Sequence, residues 1–347
     1  MKKLILDLTP GGISSWLFER FEPHYREAQI WAGLYKHYLT DFNDFSNLSK
    51  TLKAALSDAF TIMPLIPMAL LKSKDGFTEK TLFALPDGAM IETVLMRYNA
   101  RNSLCISTQS GCAMGCSFCA TGQMGFTRHL SSGEIIAQVL HFERYLREKN
   151  EHLTNIVLMG MGEPFHNYDA SISAIRRLND PDGFNMGARR FTISTVGLVP
   201  RIKQFAEENL QANLAISLHA AGDELRSSLV PMNRIYPILQ LMQACRYYLD
   251  KTNRRITFEY ALIEGVNDSE SHARALADLL SGLLCHVNLI ALNPTRGYQN
   301  TGTKPKQVEA FMQILVSKNI QTTIRLRRGI EIQAGCGQLA YLASPML

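Results

Sequence analysis

The stretch 105-CISTQSGCAMGCSFC-119 holds four of the seven cysteines in a chain of 347 residues. Three of them, Cys112, Cys116 and Cys119, follow a C-x₃-C-x₂-C spacing in a loop that contains glycine. The fourth, Cys105, stands seven residues upstream in the apolar run LCIS (104–107). The stretch therefore joins a short strand-like run to a loop of soft ligands, and the fold has to place that loop where a metal can bind.

The loop supplies three thiols and no local fourth ligand. Structural zinc takes four ligands and usually pairs one C-x₂-C with a second pair elsewhere. A [4Fe–4S] cluster normally takes four thiolates, so three cysteines leave one iron open. An open iron suits a ligand with an amine and a carboxylate, such as the methionine end of S-adenosylmethionine. The spacing favours one [4Fe–4S] cluster, and a zinc site or unligated reduced cysteines are the alternatives.

Composition indicates a globular protein with a buried core, since 46% of the residues are hydrophobic and 19% are charged. No apolar run is long enough for a membrane helix, and the start MKKLILDLTPGG does not resemble a signal peptide. We expect a cytoplasmic monomer without membrane association. Clustered thiols in a reducing compartment indicate metal or redox chemistry. The net charge of +5 permits an anionic partner such as RNA.

Residues 1–60 and 61–99 differ in pattern. The first part contains REAQIWAGLYKHYL and LSKTLKAALSDAF, whose apolar residues recur at helical spacing, so it is predicted to be a small helical accessory domain. The second contains the strand-like runs LFAL and MIETVLMRY around the turn signal 86-PDG-88. That arrangement predicts a β-hairpin linker region, and this region carries Glu92.

Residues 100–347 alternate strand-like runs with helical stretches, and one helix is predicted to begin with a capping box of Ser131 and Glu134. The alternation predicts an α/β fold with a parallel sheet, and six repeats favour a partial (β/α)6 TIM-like barrel. Polar or glycine-rich loops follow most of the strands, and ligands bind at those ends in such barrels. The runs are LCIS (104–107), NIVLM (155–159), FTIS (191–194), NLAIS (213–217), ITFEYALI (256–263) and HVNLIAL (286–292), with IQTTIRL (320–326) as a candidate for one more.

The string LCISTQSGCAMGCSFCATGQMGF, followed in order by GMGEP, STVG, SLH, LNP and AGCGQL, resembles the RlmN/Cfr family of radical S-adenosylmethionine (SAM) RNA adenine methyltransferases. The resemblance spans roughly residues 20–342. Pro164 in GMGEP favours the RlmN branch, which modifies adenine C2, over the Cfr branch, which modifies C8. Gly335 departs from the family pattern, in which alanine precedes the cysteine, and this departure loosens the loop.

The resemblance implies a radical SAM barrel domain at 100–347, a [4Fe–4S] cluster held by Cys112, Cys116 and Cys119, and two SAM molecules consumed per methylation. It also implies SAM contacts in loops that follow predicted strands. These contacts are Gly162, Glu163, Ser194, Ser217, Leu218, His219 and Asn293.

Three catalytic roles are also implied by the resemblance. Cys336, in 334-AGCGQL-339, is methylated first, and a carbon radical formed on that methyl group adds to C2 of adenine. Glu92 is the base, and Cys105 resolves the adduct by forming a disulfide with Cys336. From the residues alone, the flanking glycines indicate an exposed and mobile loop at Cys336. An exposed strand carboxylate is the alternative interpretation of Glu92.

The implied substrates are 23S rRNA at adenine 2503 and tRNA at adenine 37. The implied partners are an electron donor such as flavodoxin or ferredoxin and a thiol reductant. Cys245 and Cys285 are predicted to be core residues in helical surroundings. Two rival functions remain: a radical enzyme acting on a small metabolite, and a zinc-bearing RNA-binding protein without catalysis. Candidate phosphate contacts are Arg128, Arg189, Arg190, Arg254, Arg255, Arg325, Arg327 and Arg328.

Overall fold

A computed structural model of the chain describes residues 2–99 and 101–340. Helices α2 (Tyr25–Tyr35) and α3 (Lys50–Ala59) of the N-terminal part lie where the apolar spacing predicts them. The pattern does not predict α1, because its sequence PGGISSWLF has little amphipathic character; it begins with a Thr9 cap and a first-turn proline. The elements of this part are β1 (Lys3–Leu4), α1 (Pro10–Phe18), α2 (Tyr25–Tyr35), α3 (Lys50–Ala59) and β2 (Phe60–Thr61), and β1 pairs parallel with β2.

Three antiparallel strands follow, β3 (Ile66–Lys72), β4 (Thr78–Ala84) and β5 (Met90–Tyr98). The predicted hairpin is β4–β5. The sequence pattern does not predict β3, which is an exposed edge strand that tolerates Pro67. The three strands extend the main sheet rather than form a separate hairpin, because β5 pairs antiparallel with the next strand, β6 (Arg101–Cys105).

The remaining described residues alternate strands with helices, as predicted. The capping box at the start of α5 is present, since Ser131 and Glu134 each accept the backbone N–H of the other. After β6, the strands are β7 (Gln109–Gly111), β8 (Phe126–His129), β9 (Asn155–Leu158), β10 (Phe191–Thr195), β11 (Asn213–Ser217), β12 (Ile256–Leu262), β13 (Cys285–Ala291) and β14 (Gln321–Ile324). The helices are α4 (Ala120–Gln123), α5 (Ser132–Arg147), α6 (Tyr168–Asn179), α7 (Val199–Ala206), α8 (Asp223–Leu229), α9 (Ile238–Thr252), α10 (Glu270–Leu280) and α11 (Pro305–Ser317).

The principal strands form one ten-stranded sheet in the order β14-β13-β12-β11-β10-β9-β6-β5-β4-β3. Strands β6 and β9 to β14 run parallel, and the antiparallel strands continue one edge. Within the described residues the two outer strands do not pair, so the barrel is partial. The predicted α/β fold with a partial TIM-like barrel is confirmed, and β14 adds a seventh parallel strand to the six expected.

One hydrophobic core joins the N-terminal helices to the barrel. Trp31 of α2 and Leu56 of α3 belong to the same buried cluster as Ile135 of α5 and Phe205 of α7. Complete burial of an aliphatic or aromatic side chain of this kind contributes roughly 1.5–3 kcal/mol. The barrel helices therefore supply much of the apolar surface against which the short N-terminal helices are stable.

The division into domains at residues 1–60, 61–99 and 100–347 stays a prediction. Ala100 and residues 341–347, which fall within the last of these ranges, lie outside the described residues. Of the helices that the structure describes, none is long and apolar enough to cross a membrane.

Candidate active site

A cavity of about 160 Å³, the strand-end cavity, lies at the carboxyl ends of the parallel strands. It is enclosed by the cysteine loop on one side and by the loops that follow β9, β10, β11 and β13 on the other. Parallel strands bring their carboxyl ends to one edge, which is why segments far apart in the sequence meet here. The predicted site residues that line the cavity are Cys112, Cys116, Cys119, Gly162, Glu163, Ser194, Ser217, His219, Asn293 and Cys336.

The cysteine loop is held by its own backbone. The Cys112 N–H donates to the carbonyl of Gly125 at 2.8 Å, and the Cys119 N–H donates to that of Cys116 at 3.2 Å. Phe118 packs edge-on against His219, with the ring centroids 4.9 Å apart, and so forms an apolar wall beside the thiols. In the part of the chain that the structure describes, no three His, Cys, Asp or Glu side chains are placed to hold a single metal ion.

The three loop thiols fit an iron–sulfur cluster by their chemistry. Burial raises the pKa of Cys112 to about 12, and burial together with the neighbouring thiols raises the pKa of Cys116 well above its usual value. Buried thiolates are therefore unfavourable unless a cation compensates their charge. Bound iron supplies that charge and takes thiolate sulfur as its ligand. The residues present fit a cluster held by Cys112, Cys116 and Cys119.

The GMGEP loop presents a buried carboxylate to the cavity. Gly162 has a φ of +102°, and a Cβ there would lie 2.6 Å from Cβ of Gln109, so only glycine fits. The Glu163 carboxylate accepts hydrogen bonds from the backbone N–H groups of Phe165 and Val196, both at 2.9 Å. Burial raises the pKa of Glu163 to about 7. A carboxylate oriented in this way suits an ammonium group.

Polar groups on the neighbouring strands complete the cavity. The hydroxyls of Ser194 and Ser217 lie 3.3 Å apart, at the ends of β10 and β11. His219 has a φ of +62°, and its Nδ1 accepts the Ala261 N–H at 3.0 Å. Burial and the nearby Arg226 lower the pKa of His219 to about 3, so the ring is neutral and carries its proton on Nε2.

Leu218 is the exception among the expected SAM contacts. It is completely buried and does not line the cavity. Its backbone N–H donates to Glu259 and its carbonyl accepts from Arg226. The structure therefore gives this position a part in holding the loop, with the side chain in the core.

Cys105 and Cys336 line one small cavity of about 30 Å³, the thiol cavity, which lies beside the strand-end cavity. Both are free thiols. Cys105 is the last residue of β6, and burial followed by the proximity of Cys336 raises the pKa of Cys105 to about 12. The pair is formed by tertiary structure alone, because the two residues lie at opposite ends of the barrel sequence.

The loop around Cys336 is more constrained than its glycines suggest. Cys336 is half-buried, and its carbonyl accepts from Nδ2 of Asn293 at 3.1 Å. The Gly335 N–H donates to Gln338 at 3.1 Å, and a Cβ at Gly335 would lie 2.6 Å from Nδ2 of Asn293. Cys336 is thus less exposed than its flanking glycines suggest, and its loop backbone is tied by hydrogen bonds; the mobility of the loop stays a prediction.

Glu92 lies in β5 and is buried, so the interpretation as an exposed strand carboxylate is wrong. It does not line the strand-end cavity. The strand register places it on the same face as Val94, which pairs directly with Cys105. Its carboxylate forms an ion pair with Lys80, with 2.8 Å between Nζ and Oε1.

The candidate RNA-binding arginines separate into groups. Arg128 is bound to Asp87 and Glu134, so its charge is already satisfied. Arg189, Arg254 and Arg255 precede β10 and β12 at the amino ends of the strands, opposite the cysteine loop. The expected basic flank beside Cys336 is formed by Arg325, Arg327 and Arg328, which line the thiol cavity. Arg190 lies in a separate surface pocket.

Several buried charged residues were not found from the sequence. Arg226 is 1% exposed and binds the strand-end loops. Glu259 lies in the middle of β12 and lines the strand-end cavity. A carboxylate within the apolar run ITFEYAL was the sequence signal that could have identified Glu259.

The two remaining cysteines differ from the prediction in one respect. Cys245 is buried in α9 as predicted, but Cys285 begins strand β13 rather than lying in a helix.

This fold, with three loop cysteines facing a cavity at the strand ends, defines the class of radical SAM enzymes. A model of the radical SAM superfamily matches residues 106–277. A second family model, the ribosomal RNA large subunit methyltransferase N-terminal domain, matches residues 4–62. Members of this superfamily use a [4Fe–4S] cluster and SAM, and the chain is accordingly an enzyme with these two cofactors.

Close relatives cover almost the whole chain. "Probable dual-specificity RNA methyltransferase RlmN" of Geobacillus kaustophilus is 49% identical over 337 residues, 96% of this chain and 92% of that protein. "Dual-specificity RNA methyltransferase RlmN 1" of Myxococcus xanthus is 49% identical over 327 residues, 94% and 90% of the two proteins. The crystal structure of a radical SAM methyltransferase from Sphaerobacter thermophilus has a TM-score of 0.95 and 50% identity, covering 97% and 98%.

The chain therefore belongs to the RlmN family of radical SAM methyltransferases. The predicted family, enzyme class and cofactors are confirmed.

Proposed function

We propose that the protein methylates C2 of adenine in RNA, at adenine 2503 of 23S rRNA and adenine 37 of tRNA. The observation that carries the proposal is the shared cavity of Cys105 and Cys336, which adjoins the strand-end cavity. An enzyme that only abstracts hydrogen from a small metabolite has no need of a second thiol beside the first. The relatives named as dual-specificity RNA methyltransferases support RNA as the substrate.

In the proposed reaction, Cys336 is the methyl carrier. When bound, the cluster supplies an electron, and SAM supplies both a methyl group and a 5′-deoxyadenosyl radical. The Cys336 sulfur accepts the methyl group, and the carbon of that group, after loss of hydrogen, forms a bond to adenine C2. Adenine C2 is an electron-poor carbon between two nitrogens, which is why a radical adds there more readily than a polar methyl donor.

Release of the product is assigned to Glu92 and Cys105. Glu92 removes the proton from adenine C2. Attack of the Cys105 thiolate on the Cys336 sulfur forms a disulfide and breaks the bond between sulfur and the methylene carbon, which takes up a proton and becomes the methyl group. The one electron that the adduct gives up in this release would return to the bound cluster. A thiol reductant then restores both thiols, and a flavodoxin or ferredoxin supplies electrons to the cluster.

A wide cavity of about 1040 Å³ opens at the amino ends of the strands and supports entry of RNA from that side. Tyr98 and Arg325 line both this cavity and the thiol cavity, so the two cavities adjoin. At its rim, the guanidinium groups of Arg189, Arg254 and Arg255 bind only neutral amide oxygens within the described residues. Their charge remains available to phosphates.

Mass spectrometry of the Cys336 peptide tests the proposal. We expect wild-type protein with an intact cluster to carry methylated Cys336 after incubation with SAM. The Cys105→Ala variant should carry RNA covalently attached at Cys336, because no thiol can resolve the adduct. Cys285→Ala, which removes a thiol outside both cavities, should release methylated RNA normally.

An unmodified Cys336 in protein with an intact cluster would refute this reaction. Nucleoside analysis of digested RNA then assigns the product, and methylation at C8 instead of C2 would contradict the proposed position.

Glu163→Gln is expected to weaken SAM binding by about 10- to 100-fold, since a charge-assisted hydrogen bond to the ammonium group is lost. Burial raises the pKa of Glu163 to about 7. The carboxylate pairs with the ammonium only when ionised, so wild-type affinity should fall as the pH decreases from about 8 to about 6.

Calorimetric titration with SAM measures this effect. Glu208→Gln is the control, because Glu208 binds Arg176 and Tyr168 outside the cavity. Equal affinity in Glu163→Gln and wild type, with no difference in pH dependence, would contradict the assignment of the ammonium to Glu163.

A further inference from the structure

Lys80 is a buried cation beside the proposed base. It lies in β4, with 6% of its side chain exposed, and the Glu92 side chain is 5% exposed. Nζ of Lys80 lies 2.8 Å from Oε1 of Glu92. It also donates to the carbonyl of Gln333, at 3.1 Å, in the segment that leads to Cys336. One ammonium group thus connects the carboxylate to the loop of the methyl-carrying cysteine.

The two carboxylate oxygens of Glu92 differ in their surroundings. Oε1 is bound to Lys80, whereas Oε2 is buried and has no hydrogen-bond partner among the described residues. A buried carboxylate oxygen without a hydrogen bond raises the free energy of the folded protein, and such groups are typical of catalytic sites. Val94 and Cys105, which pair across β5 and β6, belong to one buried apolar cluster with Met161 and Leu339. Oε2 is the carboxylate oxygen that Lys80 does not bind, and we assign it to the proton of the substrate.

Burial works against the ionised form of Glu92, which is the form that acts as a base. Burial raises the pKa of Glu92, while the charge and hydrogen bond of Lys80 and, to a smaller extent, the backbone N–H of Ala340 lower it. The thiol cavity on this side is lined by Cys105 and Cys336 and also by the cations Arg325, Arg327 and Arg328. The charge that lowers the pKa of Glu92 is nevertheless that of Lys80, which contacts the carboxylate directly.

We propose that Lys80 is a positioning residue: it holds Glu92 ionised with Oε2 free, and it ties that base to the Cys336 loop through Gln333. The inference rests on the proposed role of Glu92 as the base that releases the RNA adduct. Transfer of the first methyl group to Cys336 does not involve Glu92, so Lys80 affects release and leaves the first methylation unchanged.

The test compares Lys80→Met, Lys80→Arg and Glu92→Gln in full-length protein with an intact cluster, using RNA as substrate. Lys80→Met should methylate Cys336 as wild type does but release methylated RNA about 100-fold more slowly at neutral pH, and it should accumulate the RNA adduct. Without Lys80, the pKa of Glu92 rises, so the acid limb of its pH–rate profile should move to higher pH. Lys80→Arg, which keeps the charge, should recover most of the rate.

Lys72→Met is the matched control, because Lys72 pairs with Glu79 on the neighbouring strand and its side chain is 53% exposed. The double variant Lys80→Met/Glu92→Gln removes both buried charges, so it keeps the test valid if Lys80→Met alone folds poorly. If Lys80 acts through Glu92, the double variant should be no slower than Glu92→Gln.

Two results would overturn the inference: an unchanged acid limb in Lys80→Met, or a double variant much slower than Glu92→Gln. Failure of the proposed function gives a different pattern. In that case Glu92→Gln itself accumulates no RNA adduct, and the role of Lys80 falls together with that of the base.

Discussion

Replacing Cys116 by alanine is expected to remove the iron from the protein and to abolish RNA methylation. Cys116 is 8% exposed and lines the cavity with Cys112 and Cys119. With only two thiols left in the loop, a cluster that already has one open iron loses a further ligand. The fold should survive, because removal of one buried sulfur costs on the order of 1 kcal/mol.

Iron and sulfide analysis after anaerobic purification, together with methyl transfer from labelled SAM, measures this effect. Cys245→Ala is the matched control: Cys245 is 0% exposed and packs in the core between α9 and the sheet, away from both cavities. It should lose similar stability and keep its iron. Equal iron in Cys116→Ala and wild type, or wild-type protein that contains zinc and no iron, would contradict the cluster assignment.

Replacing Arg226 by methionine is expected to destabilise the fold by about 3–5 kcal/mol and to eliminate SAM binding. The guanidinium of Arg226 is buried and donates to the carbonyls of Val196, Ser217 and Leu218 at 2.6, 3.2 and 3.1 Å. It also donates to Oδ1 of Asn233 at 2.8 Å. Each acceptor left unpaired in the interior costs roughly 1–3 kcal/mol, reduced where the loops relax.

Denaturant unfolding of the apoprotein and calorimetric titration with SAM test this expectation. Arg176→Met is the control, because the Arg176 side chain is 55% exposed and pairs with Glu208 at the surface. A surface pair of this kind contributes less than about 1 kcal/mol. An Arg226→Met variant as stable as Arg176→Met would show that Arg226 does not hold the STVG and SLH loops together.

Local sequence was sufficient for the features that depend on neighbouring residues. The spacing of Cys112, Cys116 and Cys119 and the capping box at Ser131 are such features, and so is the run NLAIS, which forms β11 as predicted. Ligand spacing and strand periodicity act over a few residues, so they can be read directly. The pattern did not predict β3, because an edge strand with a proline and exposed apolar residues lacks a distinctive alternation.

The sequence by itself indicated the alternation of strands and helices after residue 100, the spacing of the three loop cysteines and the membership of a radical SAM family. Only the tertiary structure decided that Cys105 meets Cys336, that Glu92 is buried against Lys80, and that Leu218 points into the core. These relations depend on strand register and on which loops meet at the end of a sheet. Such contacts join residues that are far apart in the chain, and no local pattern encodes them.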